Sequence, residues 1–132
     1  MSARTLLLIE DDPWVREPCV DVLTSVGYTV VAIDDAAQGL DEIRRLPPDL
    51  ILLDLIMPNA QMDGIGLLSG LAADGACTIP IIILSALGEM LAETISPQIT
   101  EALRIAAILP KPVKIETLTE EIDRALALTA ER

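Results

Sequence analysis

Leu50-Ile51-Leu52-Leu53-Asp54 is the stretch on which the fold turns, and Leu55-Ile56-Met57-Pro58 follows it directly. Four consecutive aliphatic residues leave no polar face, so the segment fits a strand covered on both sides, as in a parallel sheet between helices. The run closes on an acid. A carboxylate at the carboxyl end of a buried strand stands on the edge where open α/β sheets bind their ligands. Working outward, comparable apolar runs recur at 5–9, 29–33, 80–84 and 107–109.

Helical spacing fills the intervals. Val15, Cys19, Val22, Leu23 and Val26 make one apolar stripe, ended by Gly27. Leu40, Ile43 and Leu46 make a second, opened by Asp35 with Gln38 three residues on, a capping-box spacing. Ile115, Leu118, Ile122, Ala125 and Leu126 form the clearest amphipathic helix of the chain. Strands alternating with helices give right-handed βαβ units and a parallel sheet. Five such units in 132 residues suggest one α/β domain over 1–132, a flavodoxin-like (βα)5 fold with strand order 2-1-3-4-5 and helices on both faces.

Two prolines resist this scheme. Pro18 lies inside the first helix and should kink or delay it. Pro97 divides the fourth connection. Ser96-Pro97 reads as an N-cap followed by proline at the first helical position, with Ile99, Ala102, Leu103 and Ala106 as its stripe. Residues 87–95 are then a long connection or a separate short helix.

Composition excludes several classes. The net charge of −12 would repel a phosphate backbone, so direct nucleic-acid binding is not expected. There is no histidine, which rules out histidine metal clusters, histidine-dependent triads and any role as a phosphohistidine donor. Cys19 and Cys77 form no C-x-x-C motif and are expected to be reduced, with Cys19 in the core. With no Phe, one Trp and one Tyr, the interior must be aliphatic. No apolar run reaches the length of a membrane span, and a cytoplasmic location without membrane insertion is expected.

Chemistry-bearing residues follow the apolar runs. The motifs are Leu8-Ile9-Glu10-Asp11-Asp12-Pro13, Leu52-Leu53-Asp54, Met62-Asp63-Gly64, Leu84-Ser85-Ala86 and Leu109-Pro110-Lys111-Pro112. Asp54 can act as a nucleophile that takes a phosphoryl group as an acyl phosphate; standing alone it would read as the polar end of a strand. Glu10 and Asp11 add charge that a hard cation would offset, and Mg²⁺ binds through carboxylates, waters and phosphate oxygens. Asp12, before Pro13, reads as an N-cap. Lys111, held between prolines, can pair with Asp54 and then with a phosphate, whereas Lys114 reads as a solvated surface lysine. Ser85 is either a turn residue or a hydroxyl donor, and Gly64 suits a tight turn.

In this order the motifs closely resemble the receiver domain of two-component response regulators, over almost the whole chain. The resemblance implies a CheY-like module, most similar to stand-alone receivers. A sensor histidine kinase or phosphotransfer protein would donate a phosphoryl group from phosphohistidine to Asp54. Mg²⁺ would be held by Asp11, Asp54 and the backbone carbonyl of Ile56, with Glu10 behind them. Lys111 would pair with the phosphate, Ser85 would be the switch hydroxyl, Ala86 would leave room for the donor, and Lys111–Pro112 is a candidate cis peptide. Such a domain signals to a partner protein by a conformational switch and is not a metabolic enzyme.

Three features depart from the family. The loop 57–64 is longer than usual, and so is the segment 85–111. Ile108 stands where members often carry Tyr or Phe three residues before the lysine. The extended 87–96 segment, with Met90, Leu91 and Ile95, suggests a lid or partner-docking surface, or apolar residues packed on the domain. The competing reading is a receiver-like binding module, altered in its fourth connection, that works without phosphorylation. A haloacid-dehalogenase-type hydrolase would want a second acid two residues after the nucleophile, where this chain has Ile56. A flavodoxin would want a hydroxyl- and glycine-rich phosphate loop after the first strand.

Overall fold

The computed structural model describes residues 3–58, 60–75, 77–86 and 95–130. Five strands form one sheet: β1 (Thr5–Ile9), β2 (Thr29–Ile33), β3 (Leu50–Asp54), β4 (Ile81–Ser85) and β5 (Ile105–Pro110). Their order is β2-β1-β3-β4-β5, and every neighbouring pair is parallel. Among the described residues the helices are α1 (Pro13–Val26), α2 (Ala36–Arg45), α3 (Gly64–Asp74), α4 (Pro97–Ala102) and α5 (Ile115–Ala130). This is the doubly wound architecture and the strand order expected from the sequence.

The period of two along each strand divides the core. Leu7, Ile9, Ile51, Leu53, Ile81 and Ile83 face α2, α3 and α4, where they meet Leu40, Ile43, Leu67, Leu68, Leu71 and Leu103. Leu6, Leu8, Leu50, Leu52, Ile82 and Leu84 face the other way, against Leu23 of α1 and Leu118, Ile122, Ala125 and Leu126 of α5. Every residue of β3 is buried, as its unbroken aliphatic run requires. Aliphatic side chains thus fill both layers. On the second layer's rim the Tyr28 hydroxyl donates to Asp123, and burial together with that bond pushes the phenol up to about 12.

Several local expectations are corrected. Pro18 does not delay α1, which runs from Pro13 to Val26 with Pro18 inside it. The carbonyl that loses its helical donor is that of Trp14; both residues are exposed, so water can serve it. The α1 stripe is narrower than its apolar spacing: Leu23 is buried and Cys19 packs on the core, but Val15 and Val26 are exposed. In α2, Asp35 caps through Ala37 N–H at 2.7 Å, while Leu46 lies past the helix and is exposed. Ser96 caps α4 as expected, by accepting from Ile99 N–H, but that helix ends at Ala102. Ala106 belongs instead to β5, which begins two residues earlier than its apolar run. A register shift between Ile81 and Ile82 absorbs Ala106, because Ile81 pairs Ile105 and Ile82 pairs Ala107.

Gly64 is not a turn residue. It opens α3, its N–H donates to the Leu55 carbonyl at 3.0 Å, and a Cβ there would lie 2.5 Å from the Asp54 carbonyl oxygen. The small residue lets a helix start against the end of the central strand. Gly64→Ala should therefore cost about 1–3 kcal/mol through overpacking against backbone, read as a lower urea midpoint. An unchanged midpoint would mean that this contact has slack.

Of the 87–96 segment, residues 87–94 lie outside the described residues. Ile95 is buried in the first core layer, and Ser96 is the α4 cap.

Candidate functional site

The strand order places the carboxyl ends of β1, β3, β4 and β5 side by side. Ile9 pairs Leu53, Asp54 pairs Leu84, and Ser85 pairs Pro110. Residues that directly end or follow these strands therefore converge: Glu10 and Asp11 after β1, Asp54 on β3, Ser85 on β4 and Lys111 after β5. The chain crosses between β1 and β3, the switch point where such sheets bind ligands.

Glu10, Asp54 and Ser85 are the buried polar residues among those described, with Glu10 only 1% exposed. Carboxylate oxygens of Glu10, Asp11 and Asp54 lie within 4.8 Å of one another. The Lys111 ammonium donates to Glu10 Oε2 at 2.8 Å and lies 3.4 Å from Asp54 Oδ2. The expected Lys111–Asp54 pair is present, yet the shorter contact is with Glu10. Lys111 N–H also donates to the Ser85 carbonyl at 2.8 Å, which ties the lysine to the end of β4, and the Lys111–Pro112 peptide is cis.

These contacts set the charge state. Burial, then repulsion from Glu10, pushes the Asp54 carboxyl up to about 7, against the opposing pull of Lys111. Burial alone would lower the Lys111 ammonium; its bonds and attraction to Glu10 and Asp54 outweigh that, and the net shift is upward. Cys19, half-buried, is held up at about 11 by burial and by Glu10, so it remains a thiol that packs as a small apolar group.

Asp12 stays out of the cluster, as expected, and caps α1 by accepting from Trp14 N–H at 2.9 Å. Ile56 lies in the loop after β3 with its side chain 44% exposed, and Ala86 is exposed just beyond Ser85. The chain before α3 is pinned to the start of α2: Gln61 N–H donates to Asp35 at 2.8 Å and Ala36 N–H to the Met62 carbonyl at 3.2 Å. Trp14 stands 87% exposed beside an apolar groove of about 520 Å³ that runs from α1 to Lys111 and Pro112. Sequence reasoning passed over Arg16. Its guanidinium reaches back from α1 to the carbonyls of Glu10, at 2.9 Å, and Asp11, at 3.3 Å.

Residues 6–123 match the family described as the response regulator receiver domain. The chain belongs to this family. It is 40% identical over 81 residues to the DNA-binding response regulator MtrA of Mycolicibacterium smegmatis, across 61% of this chain and 34% of that protein. It is 36% identical over 128 residues to the transcriptional activator protein PfeR of Pseudomonas aeruginosa, across 92% of this chain and 37% of that one. This receiver domain thus spans about a third of the length of the curated relatives it matches. Among solved structures, the Francisella response regulator 1452 receiver domain superposes with a TM-score of 0.81 at 25% identity, covering 96% of this chain and 98% of that one.

Receiver domains imply a magnesium ion, and the donor set fits one. Three carboxylates with oxygens within 4.8 Å of one another, two of them buried, offer only hard ligands. Among the described residues no helix is long and apolar enough to cross a membrane.

Proposed function

We propose that Asp54 is the phosphoacceptor of a Mg²⁺-dependent receiver that takes its phosphoryl group from a partner histidine kinase or phosphotransfer protein and signals by a conformational switch to a partner protein. The observation that carries this reading is the placement of Lys111, 2.8 Å from Glu10 and 3.4 Å from a buried Asp54, at the end of the central strand. A lone strand-end acid has no need of a cation held this way.

In the transfer, an Asp54 carboxylate oxygen forms a bond to phosphorus while the phosphorus–nitrogen bond of the donor breaks. The imidazole keeps the electron pair, and the product on the chain is an acyl phosphate. Lys111 is the group that exchanges the carboxylate for the incoming phosphoryl oxygens, and Glu10 keeps the ammonium in place as it does so. The Ser85 hydroxyl donates to a phosphoryl oxygen in the product, and the small Ala86 leaves the approach open. Asp11, Asp54 and the Ile56 carbonyl would hold Mg²⁺, with Glu10 behind them. Bound there, the ion supplies neutralisation of charge between acids and phosphoryl oxygens that otherwise repel.

The switch rests on the new hydrogen bonds around the phosphoryl group. Ile108, 37% exposed on β5, replaces the aromatic that often relays such a change, so output through a ring rotation is not part of this proposal. The domain is read as a signalling phosphoacceptor, not a metabolic enzyme, and its acidic surface gives no support to direct nucleic-acid contact.

Incubation with acetyl phosphate and Mg²⁺ should add the mass of one phosphoryl group to the intact chain, and chelating the metal should suppress the gain. If no mass is gained with Mg²⁺ present, the phosphorylation-independent binding module takes over as the reading.

A further inference from the structure

Glu10 and Asp11 are consecutive, and in extended chain consecutive side chains point to opposite faces. Both nevertheless bring a carboxylate oxygen to the cluster shared with Asp54. β1 ends at Ile9; the Glu10 N–H still donates to the Ile33 carbonyl at 3.0 Å, and the chain bends at Asp11, so the backbone turns across the two acids. Arg16 fastens that turn. Its Nη1 donates to the carbonyl of Glu10 at 2.9 Å and to that of Asp11 at 3.3 Å, from a residue whose own N–H is fixed to Asp12 in the first turns of α1. Asp12 N–H adds a weaker tie to Glu10 Oε1 at 3.3 Å.

We infer that Arg16 is a positioning residue for the acid cluster: by clamping the Glu10 and Asp11 carbonyls it holds both side chains where they share one cation with Asp54. This rests on the magnesium-dependent phosphoacceptor reading above. The clamp makes a prediction whose sign is opposite to that of charge alone. Arg16 is a cation held on the backbone carbonyls of two of the three acids, so on Coulombic grounds its removal should tighten binding of a divalent cation. Loss of the clamp should weaken it, because outer partners that orient ligands are worth about 10- to 100-fold in metal affinity.

The test is calorimetric titration of the full chain with MgCl₂, comparing the parent with Arg16→Gln and Arg16→Lys, each first checked for an unaltered circular dichroism spectrum. The expected result is a dissociation constant raised about tenfold in Arg16→Gln. A smaller rise, about threefold, is expected in Arg16→Lys, which keeps the charge but not the length and fork of the guanidinium. Should Arg16→Gln fail to fold, Arg16→Lys carries the comparison alone. Variants that bind Mg²⁺ as tightly as the parent, or more tightly, overturn the positioning role and leave the phosphoacceptor reading standing. A parent chain that neither binds Mg²⁺ nor gains a phosphoryl group removes that reading, and the inference with it.

Discussion

Asp54→Asn should be more stable than the parent chain at pH 8, by about 2 kcal/mol. Burial and Glu10 raise this carboxyl from 3.8 to about 7. A raised acid favours the protonated fold, so its contribution to stability is fully present below pH 3.8 and is lost as the pH climbs through 7. A shift of that size corresponds to about 4 kcal/mol, and screening by water at the open edge of the site reduces it to about 2 kcal/mol. The asparagine variant keeps the shape and cannot ionise. Urea unfolding from pH 4 to pH 8 should show the parent losing stability where Asp54→Asn does not. Parallel pH profiles for the two proteins would mean that Asp54 feels no net penalty from its surroundings.

Lys111→Met should be the most damaging single change in the site. It removes the ammonium from Glu10, at 2.8 Å, and from Asp54, at 3.4 Å, leaving buried carboxylates without a cation. Breaking a buried pair from one side costs about 3 kcal/mol or more, because the surviving charge stays desolvated. The net upward shift of Lys111 means that its contribution is in force throughout neutral pH and is lost only above its raised value. The loss should shrink at pH 5, where Asp54 carries its proton, and Mg²⁺ should restore part of it at pH 8 by binding the folded form alone. Equal losses at both pH values, unaffected by Mg²⁺, would assign the effect to packing of the lysine stem.

The parts of this molecule that were readable from sequence are those set by short-range rules. Aliphatic runs gave the positions of all five strands, because a doubly covered strand cannot afford a polar face. The strand-end acids, Ser85 and Lys111 could be placed on one edge once their order along the chain was noticed. Caps at Asp12, Asp35 and Ser96 followed from side chains competing for the first free N–H groups of a helix. What escaped depended on distant neighbours. Residues 105 and 106 looked helical because β5 is a half-exposed edge strand with a register shift, and only its pairing with Ile81 and Ile82 decides their state. The exposure of Val15 and Val26 depends on how much of α1 the sheet covers. Gly64 could be read as a turn until Asp54 was found behind it. The preference of Lys111 for Glu10 is set across 101 residues of chain. Arg16 left no signal, since one arginine early in a helix is ordinarily solvated.

The most direct measurement of the central claim locates the phosphoryl group itself. The chain would be treated with acetyl phosphate and Mg²⁺, reduced with borohydride, which converts an aspartyl phosphate to homoserine, and then digested and sequenced by mass spectrometry. Homoserine should appear at position 54, should be absent without Mg²⁺, and should be absent from Asp54→Asn. Homoserine at position 11, or an unmodified Asp54 in a chain that has gained phosphoryl mass, would contradict the account.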